Sequence, residues 1–209
     1  MKHIVRIMAG PGESAAVREF GIEADSRATV LDALESIRTD RAPDLRYRHS
    51  CHHGSCGTCG AMINGKPRLM CLTRLADLPP GPVELAPLPR TVFIGDLAVL
   101  PSPLFDSLPD TDYIGSKERS ADRMEACIEC GLCLAGCPVT RPFVGPAALA
   151  AADREREEHP DRSAEMLAFA ARPDGVEACQ ATFNCSRVCP QNVGPGRRIK
   201  NLKKSIFSS

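Results

Sequence analysis

The chain has 209 residues and a formal net charge of zero, from 26 basic and 26 acidic side chains. That balance leaves no pervasive basic surface for a nucleic-acid partner, and no stretch approaches the roughly 20 apolar residues of a membrane span. Apolar content of 43% and charged content of 25% suit one large or two small globular domains, but cores with 4% aromatics and no Trp call for cross-links or metal, which eleven cysteines can supply.

Met1–Gly10 is a charged, alternating segment without a signal-peptide core. The expectation is an intracellular chain, where clustered thiols bind metal more often than they pair as disulfides. An odd cysteine count points the same way. Lys2–Met8 and Val17–Ile22 are β-rich runs around Ala9-Gly10-Pro11-Gly12 and read as a hairpin. Thr29 with Asp32 fits an N-terminal capping pattern. Val30, Leu31, Leu34 and Ile37 then share one helical face until Pro43 closes the segment. After a cysteine-rich loop, Ala61–Ile63 and Lys66–Arg68 flank Asn64-Gly65, a two-residue hairpin turn. Val83–Leu88 is read as the last strand. Together these elements predict a small β-grasp-like domain over residues 1–100.

Pro101–Pro109 is rich in Pro, Ser and Asp and is read as linker, the linker as a whole spanning 101–115. Residues 116–209 are expected to form an all-α domain, with helices over Ser116–Ala126, Pro146–His159 and Arg162–Ala171. Pro146 suits a first helical position, and Arg154 and Glu158 are spaced to pair. The charged run Asp153–Glu158 is read as a solvated helix face. Cys127–Pro138 and Cys179–Pro190 form an internal repeat, each ending in Cys-Pro. The fold class is therefore α+β: an N-terminal β-grasp, ferredoxin-like domain, then a helical ferredoxin-like domain.

The cysteines fall into three groups. Cys51, Cys56, Cys59 and Cys71 are spaced C-x4-C-x2-C-x11-C, and the opening is the plant-type 2Fe–2S loop with a distant fourth ligand. Gly54, Gly57 and Gly60 let the backbone wrap so that N–H groups can reach cluster sulfur. A zinc site or disulfides are the plain alternatives, but zinc favours paired C-x2-C knuckles and the x4 interval argues against it. Cys127, Cys130, Cys133 and Cys137, followed by Pro138, match the bacterial run C-x2-C-x2-C-x3-C-P, whose fourth cysteine ligates the other cluster. Ligation should then cross, giving a 4Fe–4S cluster on Cys127, Cys130, Cys133 and Cys189. In the second repeat Thr182 stands where a middle cysteine would sit, leaving Cys137, Cys179 and Cys185 for a 3Fe–4S cluster. A 4Fe–4S cluster with water or hydroxyl on its fourth iron is the alternative. All eleven cysteines are then used as iron ligands. No general base or nucleophile is evident, so no catalytic residue is assigned.

With these motifs in place, the chain resembles the iron–sulfur subunits of the succinate dehydrogenase/fumarate reductase family over nearly its whole length. The resemblance rests on Arg48-His49-Ser50-Cys51 through Cys59, Cys127–Pro138, Phe143-Val144-Gly145-Pro146-Ala147-Ala148, Cys185–Pro190 and Val193-Gly194-Pro195-Gly196. It implies an FAD-bearing flavoprotein partner, a membrane-anchor subunit and a quinone acceptor. It also implies a cytoplasmic chain, peripheral on the inner face of the cell membrane through its partners. The position near the quinone falls to Pro138, Gln180 and Thr182. Here the chain departs from the family: Val139-Thr140-Arg141-Pro142 has no Trp, and Gln180 stands where the family carries a histidine. A menaquinone, an unusual anchor, a different flavin dehydrogenase or a thiol/disulfide acceptor are compatible with these departures. A free-standing ferredoxin-like carrier or sensor is a further reading, opposed by the three-cluster layout. His52 and His53 read either as exposed loop residues or as groups whose protonation raises the 2Fe–2S potential. Arg197, Arg198, Lys200, Lys203 and Lys204 read either as a frayed basic terminus or as a docking tail for anionic headgroups or an anchor subunit.

Overall fold

The fold is that of a computed structural model, in which residues 1–10, 16–100, 104, 105, 107–109, 127–140 and 142–208 are described. The expected helix over Ser116–Ala126 lies outside the described residues, as does most of the expected linker. Two compact units emerge. The first comprises Met1–Pro101 with Ile128–Ala135, and the second Ser102–Cys127 with Gly136–Ser209.

In the first unit β1 (Lys2–Ala9) and β2 (Ala16–Glu23) form the expected antiparallel hairpin, with Lys2 opposite Glu23 and Ala9 opposite Ala16. The helix α1 (Val30–Asp40) opens on a complete capping box: the Asp32 backbone N–H donates to Thr29 Oγ1 at 3.2 Å, and the Thr29 N–H donates to the Asp32 carboxylate at 2.8 Å. Val30, Leu31, Ala33, Leu34 and Ile37 are buried, the Leu, Ile and Val among them each contributing on the order of 1.5–3 kcal/mol. Asn64 and Gly65, with φ of 48° and 72°, turn β3 (Gly60–Ile63) into β4 (Lys66–Leu69). This is the paired positive-φ geometry that favours Asn-Gly. β5 (Val83–Ala86) enters the middle, parallel to β1 and antiparallel to β3, giving the order β2-β1-β5-β3-β4. A mixed sheet with one helix packed against it is the β-grasp arrangement.

β5 is not the last strand of the unit. β6 (Val92–Gly95) and β7 (Ala98–Leu100) follow as a separate antiparallel hairpin. Val92, Phe93 and Ile94 are exposed, so their side chains show none of the in-and-out alternation by which a strand is recognised. The hairpin is held through its turn: Asp96, at φ 46°, accepts the Arg46 N–H at 2.9 Å, and the Leu97 N–H donates to the Arg46 carbonyl at 3.0 Å. The short α2 (Leu132–Ala135) belongs to this unit as well and buries Leu132.

The named elements of the second unit are helical among its described residues: α3 (Pro146–Glu158), α4 (Ser163–Ala170), the one-turn α5 (Asn184–Arg187) and α6 (Pro195–Phe207). Pro146 occupies the first turn of α3, and Arg154 pairs with Glu158 at 2.7 Å, both as expected. The run from Asp153 to Glu158 is not a solvated face. Asp153 is 0% exposed and Glu155 3%. Asp153 accepts from Arg156 at 3.0 Å and from Arg198 on α6 at 3.4 Å, while Glu155 pairs with Arg162. Burying a carboxylate needs such partners; Arg156 comes from the same helix, while Arg198 and Arg162 come from neighbouring elements that helical spacing does not reveal. The same contacts correct the reading of a frayed basic terminus. α6 packs on α3 with Ile199 and Leu202 buried, Arg198 reaches Asp153 and Glu157, and the Lys203 ammonium donates to the Cys179 carbonyl at 2.9 Å.

Candidate metal centres

The loop Cys51–Cys59 leads into β3, and Cys71 lies just beyond β4 on a one-turn 3₁₀ helix, Met70–Leu72. The β3–β4 hairpin therefore brings Cys59 and Cys71 together, their sulfur atoms 3.3 Å apart. The N-terminus of α1 braces this corner, since the Val30 N–H donates to the Thr73 carbonyl at 2.8 Å and the Leu75 N–H to Ala28 at 2.9 Å. Cys51 Sγ accepts backbone N–H bonds from Ser55 at 3.2 Å and Cys56 at 3.3 Å. The Cys51 thiol is held down at about 6, chiefly by the His53 backbone N–H and further by those of Cys56 and Ser55, against an opposing desolvation. Cys71 is pushed up to about 12, by burial first and by the adjoining Cys59 second. Two neighbouring thiols in a dry corner resist joint ionisation unless a cation shares them, while the loop end offers a ready thiolate. That donor set fits an iron cluster.

Gly54 and Gly57 take φ of 78° and 71°, which other L-residues adopt only at a cost. At Gly57 space is limiting too. A Cβ there would lie 2.4 Å from the Ile128 carbonyl oxygen and 3.0 Å from Cys130 Cβ, and one at Gly60 would lie 3.1 Å from the Cys130 oxygen. Within the first unit, then, the first cysteine loop and the Ile128–Cys130 backbone touch without an intervening side chain.

Of the four cysteines expected to hold the 4Fe–4S cluster, Cys130 and Cys133 belong to the first unit, and Cys127 and Cys189 to the second; all four are half-buried. The third group lies wholly in the second unit. Cys137, Cys179 and Cys185 line one cavity of about 220 Å³ together with Thr182, Pro138 and Gln180. Burial pushes the Cys185 thiol up, and the neighbouring Cys179 and Cys137 push it further, so three sulfurs converge there as well. The Ala181 N–H points at Cys179 Sγ from 3.4 Å. Lys200, Lys203 and Phe183 also line this cavity; the two lysines were expected only as part of a basic tail, and Phe183 was not expected at a site. Ile199, Lys200 and Lys203 share a helical stripe, which is the one sequence signal that could have placed the two lysines. Nothing local in the sequence marks Phe183.

The chain resembles known iron–sulfur proteins along most of its length. A family profile described as a 2Fe-2S iron-sulfur cluster binding domain matches residues 3–106, and one described as a 4Fe-4S dicluster domain matches residues 123–193. The fumarate reductase iron-sulfur subunit of Escherichia coli O6:H1 is 34% identical over 88% of the chain and 83% of the relative. The succinate dehydrogenase iron-sulfur subunit of Coxiella burnetii is 33% identical over 90% of the chain and 88% of the relative. Among solved structures, a chain of the Mycobacterium smegmatis Sdh1 complex in the apo form superposes with a TM-score of 0.79 over 99% of this chain and 96% of that one, at 23% identity, and shows the same fold. Fold, cysteine loops and profiles define an iron–sulfur electron-transfer protein. The chain belongs to the family of succinate dehydrogenase/fumarate reductase iron–sulfur subunits. Its role is electron transfer within an oxidoreductase complex.

Proposed function

We propose that this chain passes single electrons between an FAD-bearing flavoprotein subunit and a quinone, a menaquinone being compatible, through three clusters. Cys51, Cys56, Cys59 and Cys71 hold the 2Fe–2S cluster. Cys127, Cys130, Cys133 and Cys189 hold the 4Fe–4S cluster, on the crossed pattern of the Cys-Pro repeats. Cys137, Cys179 and Cys185 hold a 3Fe–4S cluster, with Thr182 at the position that lacks a thiolate. Along the sequence the domains are residues 1–100, a linker over 101–115, and an all-α ferredoxin-type domain over 116–209, of which Ile128–Ala135 is lent to the first compact unit. A membrane-anchor subunit completes the complex and keeps the chain peripheral at the inner face of the cell membrane. No helix among the described residues is long and apolar enough to cross a membrane. Pro138, Gln180 and Thr182 would face the quinone.

The observation that carries this reading is a cavity lined by three cysteines and a threonine together. Bound clusters supply one-electron carriers that divide a flavin's two-electron chemistry. The polypeptide contributes thiolates, backbone N–H donors and a dry surround. The complex purified without oxygen should hold about nine irons per chain, from the 2Fe–2S, 4Fe–4S and 3Fe–4S set, and an oxidised sample should show a three-iron resonance by electron paramagnetic resonance. Markedly fewer irons, or no such signal, would refute the assignment. Assays of the copurified complex with succinate, fumarate and quinone analogues decide the substrate. Activity with thiol/disulfide acceptors alone would favour the rival that Gln180 and the Trp-free Val139–Pro142 segment admit.

A further inference from the structure

Outside the cysteine centres, and among the described residues, the first unit brings together one further set of metal-ligating side chains: Glu35 on α1 with His49 and His52 at the entrance to the first loop. His49 Nδ1 lies 3.2 Å from His52 Nε2, and Glu35 Oε1 lies 3.4 Å from the first and 3.5 Å from the second. Hydrogen bonding alone does not satisfy this triangle. Each neutral imidazole carries one N–H proton and a carboxylate carries none, so at most two of the three contacts can be hydrogen bonds. The third then sets two donors or two lone pairs against each other. One cation accepting all three lone pairs resolves the conflict.

The dimensions select the ion. Zinc bound by His and carboxylate ligands at about 2.0–2.1 Å in a tetrahedron separates its ligand atoms by about 3.3–3.4 Å. Regular octahedral coordination at the same bond length would bring them to about 2.9 Å. The three measured edges centre on the tetrahedral figure. The imidazole rings stand nearly perpendicular, at 81°, so their lone pairs converge from different directions. His52 takes φ 62°, an uncommon conformation for a residue with a side chain and one that clusters at functional positions. Its side chain is 42% exposed, which leaves water free to supply the fourth ligand.

We propose that Glu35, His49 and His52 form a tetrahedral site for zinc, or a divalent ion of the same size and preference, that pins α1 to the entry of the first cysteine loop. Two neutral imidazoles and one carboxylate suit a borderline ion better than calcium or magnesium, which seek oxygen.

The test uses the cluster-loaded chain, with its copurifying subunits, kept free of oxygen. The protein is incubated with zinc chloride, freed of unbound metal, and assayed for zinc against iron and for its zinc X-ray absorption edge. Wild type should retain one zinc per chain beyond its iron, with nitrogen and oxygen neighbours near 2.0 Å and no sulfur at about 2.3 Å. His52→Gly removes a ligand while suiting the left-handed backbone, and Glu35→Gln removes the carboxylate from a helix outside the loop. Each should weaken zinc binding by about 100-fold. A sulfur shell, no retained zinc in wild type, or equal retention by wild type and the iron-replete Glu35→Gln variant would each overturn the proposal.

Discussion

At the scale of single residues, Thr182 carries the largest consequence. It lines the cavity of Cys137, Cys179 and Cys185, so Thr182→Cys presents a fourth sulfur to the third centre. The expected result is loss of the oxidised three-iron resonance and a gain of about one iron per chain, read by metal analysis on matched preparations. Gly57 is limited by conformation and by space at once. Gly57→Ala should cost about 1–2 kcal/mol for the left-handed backbone and about 1–3 kcal/mol more for displacing the Ile128 carbonyl. Thermal unfolding of the variant at unchanged iron content measures that sum. The nearness of Cys59 to Cys71 and of Cys137 to Cys179 and Cys185 was legible because ligand spacing is written in one dimension. The triangle of Glu35, His49 and His52 was not, because its carboxylate comes from a helix far from the histidines in sequence, and only folding sets them together.

At the scale of elements, local codes proved sufficient where the chain settles its own geometry. The Thr29–Asp32 box and the Asn64-Gly65 turn were readable because capping and hairpin chemistry act over a few residues. The β6–β7 hairpin escaped because its outward apolar residues break the pattern of a half-buried strand. The buried charges of α3 escaped for a different reason: their partners Arg198 and Arg162 are supplied by tertiary packing. Those partners can be tested. Arg162→Ala leaves Glu155, 3% exposed, without its cation, and should destabilise the protein by about 3–5 kcal/mol. The double variant Glu155→Leu/Arg162→Leu should recover most of the loss, as urea midpoints would show. Asp153 gives a pH dependence of definite sign. Burial raises its pKa above the usual 3.8, against the pull of Arg156 and Arg198. The folded state therefore holds this proton more tightly than the unfolded state, so the contribution of Asp153 to stability declines as pH rises past 3.8. Asp153→Asn should match wild type in acid and gain on it toward neutrality. A variant that instead falls behind as pH rises would show that ion pairing outweighs burial.

At the scale of the whole molecule, the division into units does not follow the order of the sequence. Residues Ile128–Ala135 belong with Met1–Pro101, and Leu132, 1% exposed, sits with Leu88 where a side chain on Gly60 would otherwise go. Translation therefore delivers the early strands and α1 well before the short segment that completes their core. A polypeptide released after Leu100 should leave a greasy notch beside Gly60 and be cut by protease faster than the same unit within the full chain. Chains stalled on the ribosome at successive lengths should gain protection only once Ala135 has cleared the exit tunnel, so the earliest-made half of this electron carrier must wait for its later half before it can close.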